Sequence, residues 1–255
     1  MSEETNKPTP ETLEPEPAPA VESVPERTER KRAARRLLRA EVFYLLGLVL
    51  FAGLAALARF HAYFGWDLRA ARAVQSFDAA GVRALMEAAS FFGNGWTPWI
   101  LTTATMLLFL AFRRRSEAAG VVLSTAGAAL LNSVLKAVIA RPRPTADLVS
   151  VIAETQNLSF PSGHVTFYVA YFGFVFFVAY ALLPRGSAAR RVVLALAALQ
   201  VVLVGFSRVY LGAHWPSDTL GAYLITGLWL AFSLHMYRRW KRRATFKQEA
   251  EPVGG

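Results

Sequence analysis

The sequence predicts an all-α, polytopic membrane protein with six transmembrane helices and an amphipathic helical segment on its outer face. Two observations carry that prediction. Hydrophobic residues make up 54% of the 255 positions and come in long blocks, most of them close to the ~20 residues a helix needs to cross a bilayer. Lys and Arg collect in short clusters at every second connection between those blocks, the bias that sets membrane topology. Backbone groups in hydrocarbon must be satisfied within their own segment, so each block is expected to be a helix.

Residues 1–28 are rich in Pro, Glu and Thr and bury too little apolar surface to offset chain entropy, so a disordered tail is expected there. A basic run follows, Arg30, Lys31, Arg32, Arg35, Arg36 and Arg39, read as a topology signal in preference to an anionic-lipid contact. The first apolar block begins only after Arg39 and would act as an uncleaved anchor. The expected spans are 42–58, 97–112, 117–139, 163–183, 192–211 and 219–237. The chain thus divides into a tail (1–40), a membrane domain (41–237) and a basic C-terminal tail (238–255).

Orientation follows from charge. Arg30 to Arg39 precede the first span, Arg113 to Arg115 follow the second, Arg185, Arg190 and Arg191 follow the fourth, and Arg238 to Lys247 follow the sixth. Both termini and these connections are therefore expected in the cytoplasm. The segment 59–96, the loop 140–162 and the turn 212–218 fall on the other side. In the first of these, Leu68, Ala71, Val74 and then Val82, Leu85, Ala89 are spaced among charges, as in one or two amphipathic helices lying on the outer surface. Trp96, Trp99 and Trp215 near span ends fit an interfacial aromatic belt.

The formal net charge of +10 is explained by these topology clusters, and no nucleic-acid reading motif accompanies it. The chain contains no cysteine, which excludes disulfides, thiolate catalysis and thiolate metal sites. No repeat of the kind that marks many transporters is visible.

Three polar stretches interrupt the apolar pattern: Lys136 to Pro144, Pro161 to His164, and Gly205 to Asp218. The predicted topology brings all three to one membrane face, although they are far apart in sequence. Ionisable groups at the edge of hydrocarbon default to a functional reading. Lys136, Arg143 and Arg208 supply three cations, two of them guanidiniums suited to bidentate phosphate contact. Ser162 and Gly163 precede a helix whose first N–H groups are free to bind an anion. Of the two histidines, His164 and His214, one can attack phosphorus while the other protonates the leaving oxygen. Asp218 lies four residues after His214, on the same face of a helix starting near Pro216, where it can accept from one ring nitrogen and fix the tautomer. Singly, each feature has a bland reading: a snorkelling lysine, a helix entry, a helix-start hydrogen bond. Asn132 and Ser133 are read as packing residues, His61 as interfacial and His235 as structural. Arg141 either assists the phosphate or faces solvent.

The three stretches read Lys136-x6-Arg143-Pro144, Pro161-Ser162-Gly163-His164 and Ser207-Arg208-x5-His214-x3-Asp218. In this the chain resembles the type 2 phosphatidic acid phosphatase (PAP2) superfamily, whose signature is K-x6-RP, PSGH and SR-x5-H-x3-D. The resemblance covers about residues 41–237. It implies an integral membrane lipid phosphatase in which His214 is the nucleophile of a phosphohistidine intermediate and Asp218 orients it. It further implies that His164 is the general acid, that Lys136, Arg143, Ser162, Gly163 and Arg208 hold the phosphate, and that no metal or other cofactor is required.

The expected partners are a lipid phosphate or pyrophosphate and the bilayer. Undecaprenyl pyrophosphate and phosphatidylglycerophosphate lead, because the Ala- and Arg-rich composition points to a bacterial membrane with the site facing the periplasm or exterior. A phosphotransferase passing the group to a lipid or sugar hydroxyl shares every motif. A vanadium haloperoxidase is disfavoured by the six spans, and a transporter or silent scaffold by charges placed at span ends. No pattern specifies an oligomeric state.

Overall fold

The protein is described here by a computed structural model covering residues 24–77, 79–153 and 157–250, with side chains described from Glu41 to Arg243. Every regular element among the described residues is helical: α1 (Val24–Phe60), α2 (Gly65–Gln75), α3 (Val82–Ser90), a 3₁₀ turn (Phe91–Gly93), α4 (Thr97–Ala111), α5 (Arg115–Ile139), α6 (Gly163–Leu182), α7 (Ala188–Tyr210) and α8 (Pro216–Ala250). The chain separates at Phe43. The first unit is described as helical backbone from Val24, with side chains from Glu41, so most of the expected disordered stretch 1–28 lies outside the described residues. The remainder, from Tyr44, forms the bundle.

Among the described residues, five helices are long and apolar enough to cross a membrane: Glu41–Phe60, Arg115–Ile139, Gly163–Leu182, Ala188–Tyr210 and Pro216–Arg243. Helix α4 is equally apolar but has 15 residues, a rise of only ~23 Å against a hydrocarbon core of about 30 Å. The chain is a helical membrane protein that, among the described residues, has five helices long enough to span and one shorter apolar helix.

Helix α6 is the centre, packed on α5, α7 and α8, with α4 flanking α5. Burial of apolar groups drives helix association weakly in lipid, so close backbone approach and interhelical hydrogen bonds matter more. The glycines show this. A Cβ at Gly120 would meet the Phe174 ring at 2.7 Å, and one at Gly127 or Gly173 would overlap Trp229 or Leu230. Trp229, seated on Gly127, donates from its indole to the carbonyls of Leu123 (3.1 Å) and Ser124 (3.2 Å). Val121, Tyr171, Phe174, Val178 and Tyr237 fill one core cluster between α5, α6 and α8. Val165, Tyr168, Val169, Val204 and Ala222 fill another between α6, α7 and α8. Outward stripes such as Leu46, Val49 and Leu50 on α1, or Val192, Leu196 and Leu199 on α7, stay exposed, as lipid-facing surfaces should.

The segment 59–96 contains two short helices, as its spacing suggests, but their apolar faces turn into the protein. Ala71 of α2 is buried in a cluster with Val149, Val209 and Trp215, against which Leu68 and Val74 pack, while α3 lies on α7. Leu85 is left exposed. Trp215 corrects the aromatic-belt reading: it is 1% exposed, with its ring 5.2 Å from that of Tyr63, because the turn that carries it is roofed by α2. Trp96 and Trp99 are exposed, as expected.

Candidate active site

All three polar stretches meet at one end of the bundle. Helix α5 closes at Ala140, whose left-handed backbone (φ 51°) accompanies a bond from its N–H to the carbonyl of Lys136. Lys136 thereby sits in the last turn, and its ammonium donates to the carbonyl of Leu158. Helix α6 opens at Ser162, an N-cap with extended backbone whose own N–H is held by the carbonyl of Asp218 at 3.2 Å. Gly163 and His164 follow in the first turn, where N–H groups lack intrahelical acceptors. Asn132 reaches from α5 to the carbonyl of Pro161 (3.1 Å) and to Thr166 (3.0 Å). It therefore fixes the entry of α6, as a packing residue would.

The turn between α7 and α8 sets the central histidine. The N–H groups of Ala213 and His214 both bond to the carbonyl of Arg208, at 3.1 and 3.2 Å. Gly212 makes the reversal at φ +66°, with the carbonyl of Ser150 lying where a Cβ would stand. His214 is thus drawn to 2% exposure. The Arg143 Nη1 lies 3.2 Å from its Nε2. A guanidinium has no acceptor, so Nε2 presents its lone pair and the ring proton sits on Nδ1. That nitrogen faces Oδ2 of Asp218 at 3.5 Å. Burial, followed by the cations of Arg143, Lys136 and Arg208, holds the His214 imidazolium well below the usual histidine range. The ring is neutral at neutral pH, with its lone-pair nitrogen toward the cations.

Lys136, Arg143, Gly163, His164, Arg208 and His214 all line one cavity of about 520 Å³, which continues past Asn94 and Trp99 between α4, α5 and α6 toward Thr125 and Phe167. Ser162 and Asp218 stand behind it, both 0% exposed. The hydroxyl of Ser162 and the Nε of Arg208 are buried with no hydrogen-bond partner in the protein, so both remain free to meet an anion. Three cations, free helix-start N–H groups and two histidines around one space can bind a phosphate and stabilise charge developing on it.

Several residues at the site carried no signal in the sequence. Asn94 Oδ1 lies 2.8 Å from Nε2 of His164, and a Cβ on Gly93 would fall inside the His164 ring. Asn157 holds Arg143 through its backbone carbonyl at 2.6 Å. Ser90 of α3 accepts from Nη1 of Arg208 at 3.3 Å. Ser159 donates to Asp218. All lie outside the spaced motifs and are recognisable only by proximity. Arg141 corrects the sequence reading outright: it is neither solvent-facing nor at the cavity. It is 0% exposed and paired with Asp67 at 2.9 Å and Asp218 at 2.6 Å. Of the other histidines, His61 is exposed and bonded to its own helix, and His235 is exposed on α8.

The PAP2 superfamily profile matches residues 117–242. Phosphatidylglycerophosphatase B of Bacillus subtilis is 40% identical over 103 residues, 40% of this chain, so that the chain spans about half (49%) of that relative. The undecaprenyl-diphosphatase of Sulfolobus acidocaldarius is 28% identical over 66% of this chain and 76% of its own length. The decaprenylphosphoryl-5-phosphoribose phosphatase of Mycobacterium tuberculosis is 32% identical over 57% of this chain and 76% of its own length. Two crystal structures share the fold. The transmembrane PAP2-type phosphatidylglycerolphosphate phosphatase of Bacillus subtilis superposes with a TM-score of 0.64 at 24% identity, covering 83% of this chain and 98% of that one. Aquifex aeolicus LpxE gives 0.52 at 22% identity, covering 68% and 96%. With the three motifs gathered at one end of a bundle of this fold, the chain belongs to the PAP2 superfamily and is an integral membrane protein.

Proposed function

We propose that the protein removes the terminal phosphate from a membrane lipid phosphate or pyrophosphate through a phosphohistidine intermediate. The observation that carries this reading is the His214 ring, buried and neutral, with Nε2 turned to Arg143 and to the cavity that Lys136 and Arg208 also line. Nε2 attacks phosphorus as the bond to the leaving oxygen breaks, and His164 gives that oxygen a proton. Asp218 supports the imidazolium charge that forms. A water molecule then gives a proton to His164 and attacks phosphorus, breaking the N–P bond and releasing phosphate. Lys136, Arg143, Arg208, the Ser162 hydroxyl and the N–H groups that open α6 hold the phosphoryl oxygens throughout.

The charge clusters support a topology with both termini in the cytoplasm and this site at the periplasmic or exterior face. There an amphiphile presents its headgroup while its tail stays in lipid. The relatives are named for phosphatidylglycerophosphate, undecaprenyl diphosphate and a decaprenylphosphoryl sugar phosphate, which supports lipid-borne phosphate as the class and a polyprenyl or glycerophosphate headgroup within it. The test is phosphate release by purified protein from a panel of prenyl pyrophosphates, phosphatidate, phosphatidylglycerophosphate and lipid A, with His214→Ala alongside. Turnover by wild type in EDTA and none by a folded His214→Ala is the expected result. Full turnover by His214→Ala refutes the mechanism, and release only after a hydroxyl acceptor is added identifies a phosphotransferase instead.

A further inference from the structure

Behind the histidine lies a fully buried charge cluster whose residues do not line the cavity. Arg141, in the connection after α5, spends its guanidinium on four partners. Nη1 donates to Oδ1 of Asp218 and to the hydroxyl of Ser217, both at 2.6 Å. Nη2 donates to Asp67 at 2.9 Å, and Nε to the carbonyl of His61 at 3.2 Å. The Phe64 ring covers its face at 4.9 Å. Asp67 comes from α2, far from the three motifs in sequence. It also accepts from Ser217, through the N–H at 2.8 Å and the hydroxyl at 2.7 Å, and from the N–H of Phe64 at 3.1 Å. Asp67, Arg141, Ser217 and Asp218 are each 0% exposed.

Two carboxylates on one guanidinium leave this cluster one negative charge, in a place where burying charge is costly unless it is compensated. With Oδ1 of Asp218 taken by Arg141, Oδ2 is held by the N–H of Trp215 at 2.8 Å and the hydroxyl of Ser159 and is left facing His214. We propose that Asp67 and Arg141 are positioning residues for the nucleophile: Arg141 clamps Asp218 in the rotamer that faces His214, and Asp67 offsets the clamp's charge so that Asp218 still acts on the ring as an anion. The outer helix α2 is thereby part of the catalytic apparatus although no atom of it reaches substrate. The proposal rests on His214 being the nucleophile.

A purely structural role also accounts for buried ion pairs, so the test needs a readout that folding alone does not move. The charged and titratable groups facing His214 are Lys136 from α5, Arg143 from the connection, His164 from α6, Arg208 from α7 and Asp218 from α8. None of them is altered by Asp67→Asn or Arg141→Gln. Asp67→Asn leaves Arg141 with Asp218 as its one carboxylate, so the cluster goes from one negative charge to none. It is expected to lower kcat about tenfold with little change in KM, and to move the acid limb of kcat/KM down by up to about one pH unit, because a ring beside extra positive charge protonates later. Arg141→Gln removes a cation and leaves two carboxylates together, so its acid limb moves up, and Arg141→Lys lies between it and wild type.

Limb shifts of opposite sign support the proposal. Unchanged limbs and kcat with only a lowered Tm overturn it, as does failure of both variants to fold while His214→Ala folds. If only one variant folds, the sign of its shift decides. Activity retained in His214→Ala shows instead that the nucleophile was misassigned, an outcome separate from either of these.

Discussion

Replacing Asp218 by Asn keeps the side chain's size and changes only its charge and donor pattern, so its consequences can be worked from the contacts. The carboxylate accepts on two sides: Oδ1 from Arg141 at 2.6 Å, and Oδ2 from the Trp215 N–H at 2.8 Å and from Ser159, with Nδ1 of His214 at 3.5 Å. An amide has one oxygen for these two sides. With the oxygen at the Oδ2 position, Trp215 and Ser159 keep their acceptor, an oxygen still faces the ring, and the NH₂ confronts Arg141. Turned round, the NH₂ confronts the Trp215 N–H and the ring N–H, with only the Ser159 hydroxyl able to accept from it. The first arrangement wins, so the tautomer of His214 survives and what is lost is charge. One hydrogen bond to a charged group costs about 1.5–3 kcal/mol of stability, moderated here because Arg141 keeps Asp67.

The catalytic loss is separate from that cost. Unit charges at this separation interact by about 5 kcal/mol at an effective dielectric of ~20. That is an upper bound, because Arg141, Ser159 and Trp215 share the carboxylate. About half of it disappearing from the transition state lowers kcat about a hundredfold. Phosphate release from a prenyl pyrophosphate in detergent micelles, with kcat and KM resolved and Tm measured in parallel, is the assay. A kcat within about threefold of wild type in a folded Asp218→Asn protein would refute the assignment of Asp218 as the charge that supports His214.

Three further outcomes are expected. Because burial and the nearby cations disfavour the imidazolium of His214, the neutral ring persists as pH falls, and the acid limb of kcat/KM lies below pH 6.5. Arg143→Gln removes the nearest cation and moves that limb upward, and a limb that stays put in this variant contradicts the contact at Nε2. Gly93→Ala pushes a methyl group into the His164 ring, so kcat is expected to fall at least about tenfold with Tm changed by only a few degrees. Unaltered turnover would show that His164 does not need its present place. Gly212→Ala meets both a positive φ and the carbonyl of Ser150, and a stability loss of at least about 2 kcal/mol by thermal or denaturant unfolding is expected.

The cavity-facing half of the site was legible in the chain because each of its residues belongs to a fixed spacing. Lys136 and Arg143 flank a helix end, Ser162 to His164 start a helix, and Arg208, His214 and Asp218 bracket a turn. A local motif of that kind encodes its own geometry, and the apolar blocks encode where the motifs stand along the membrane normal. Blocks near twenty residues with basic clusters between them were likewise enough to specify an all-helical membrane protein. The supporting half has no such encoding. Arg141 reads as one more basic residue beside a loop, Asp67 as an acidic residue in the first turn of a short helix, Trp215 as an aromatic at a span end. Only the packing of α2 over the α7–α8 turn removes all three from water. Once there, Arg141 must pair with the carboxylates within reach, because a buried guanidinium without them is too costly to keep. Sequence alone picked out the cations and histidines that gather around one cavity. The tertiary structure decided which other residues hold them in place, since burial and pairing depend on neighbours brought together across the chain.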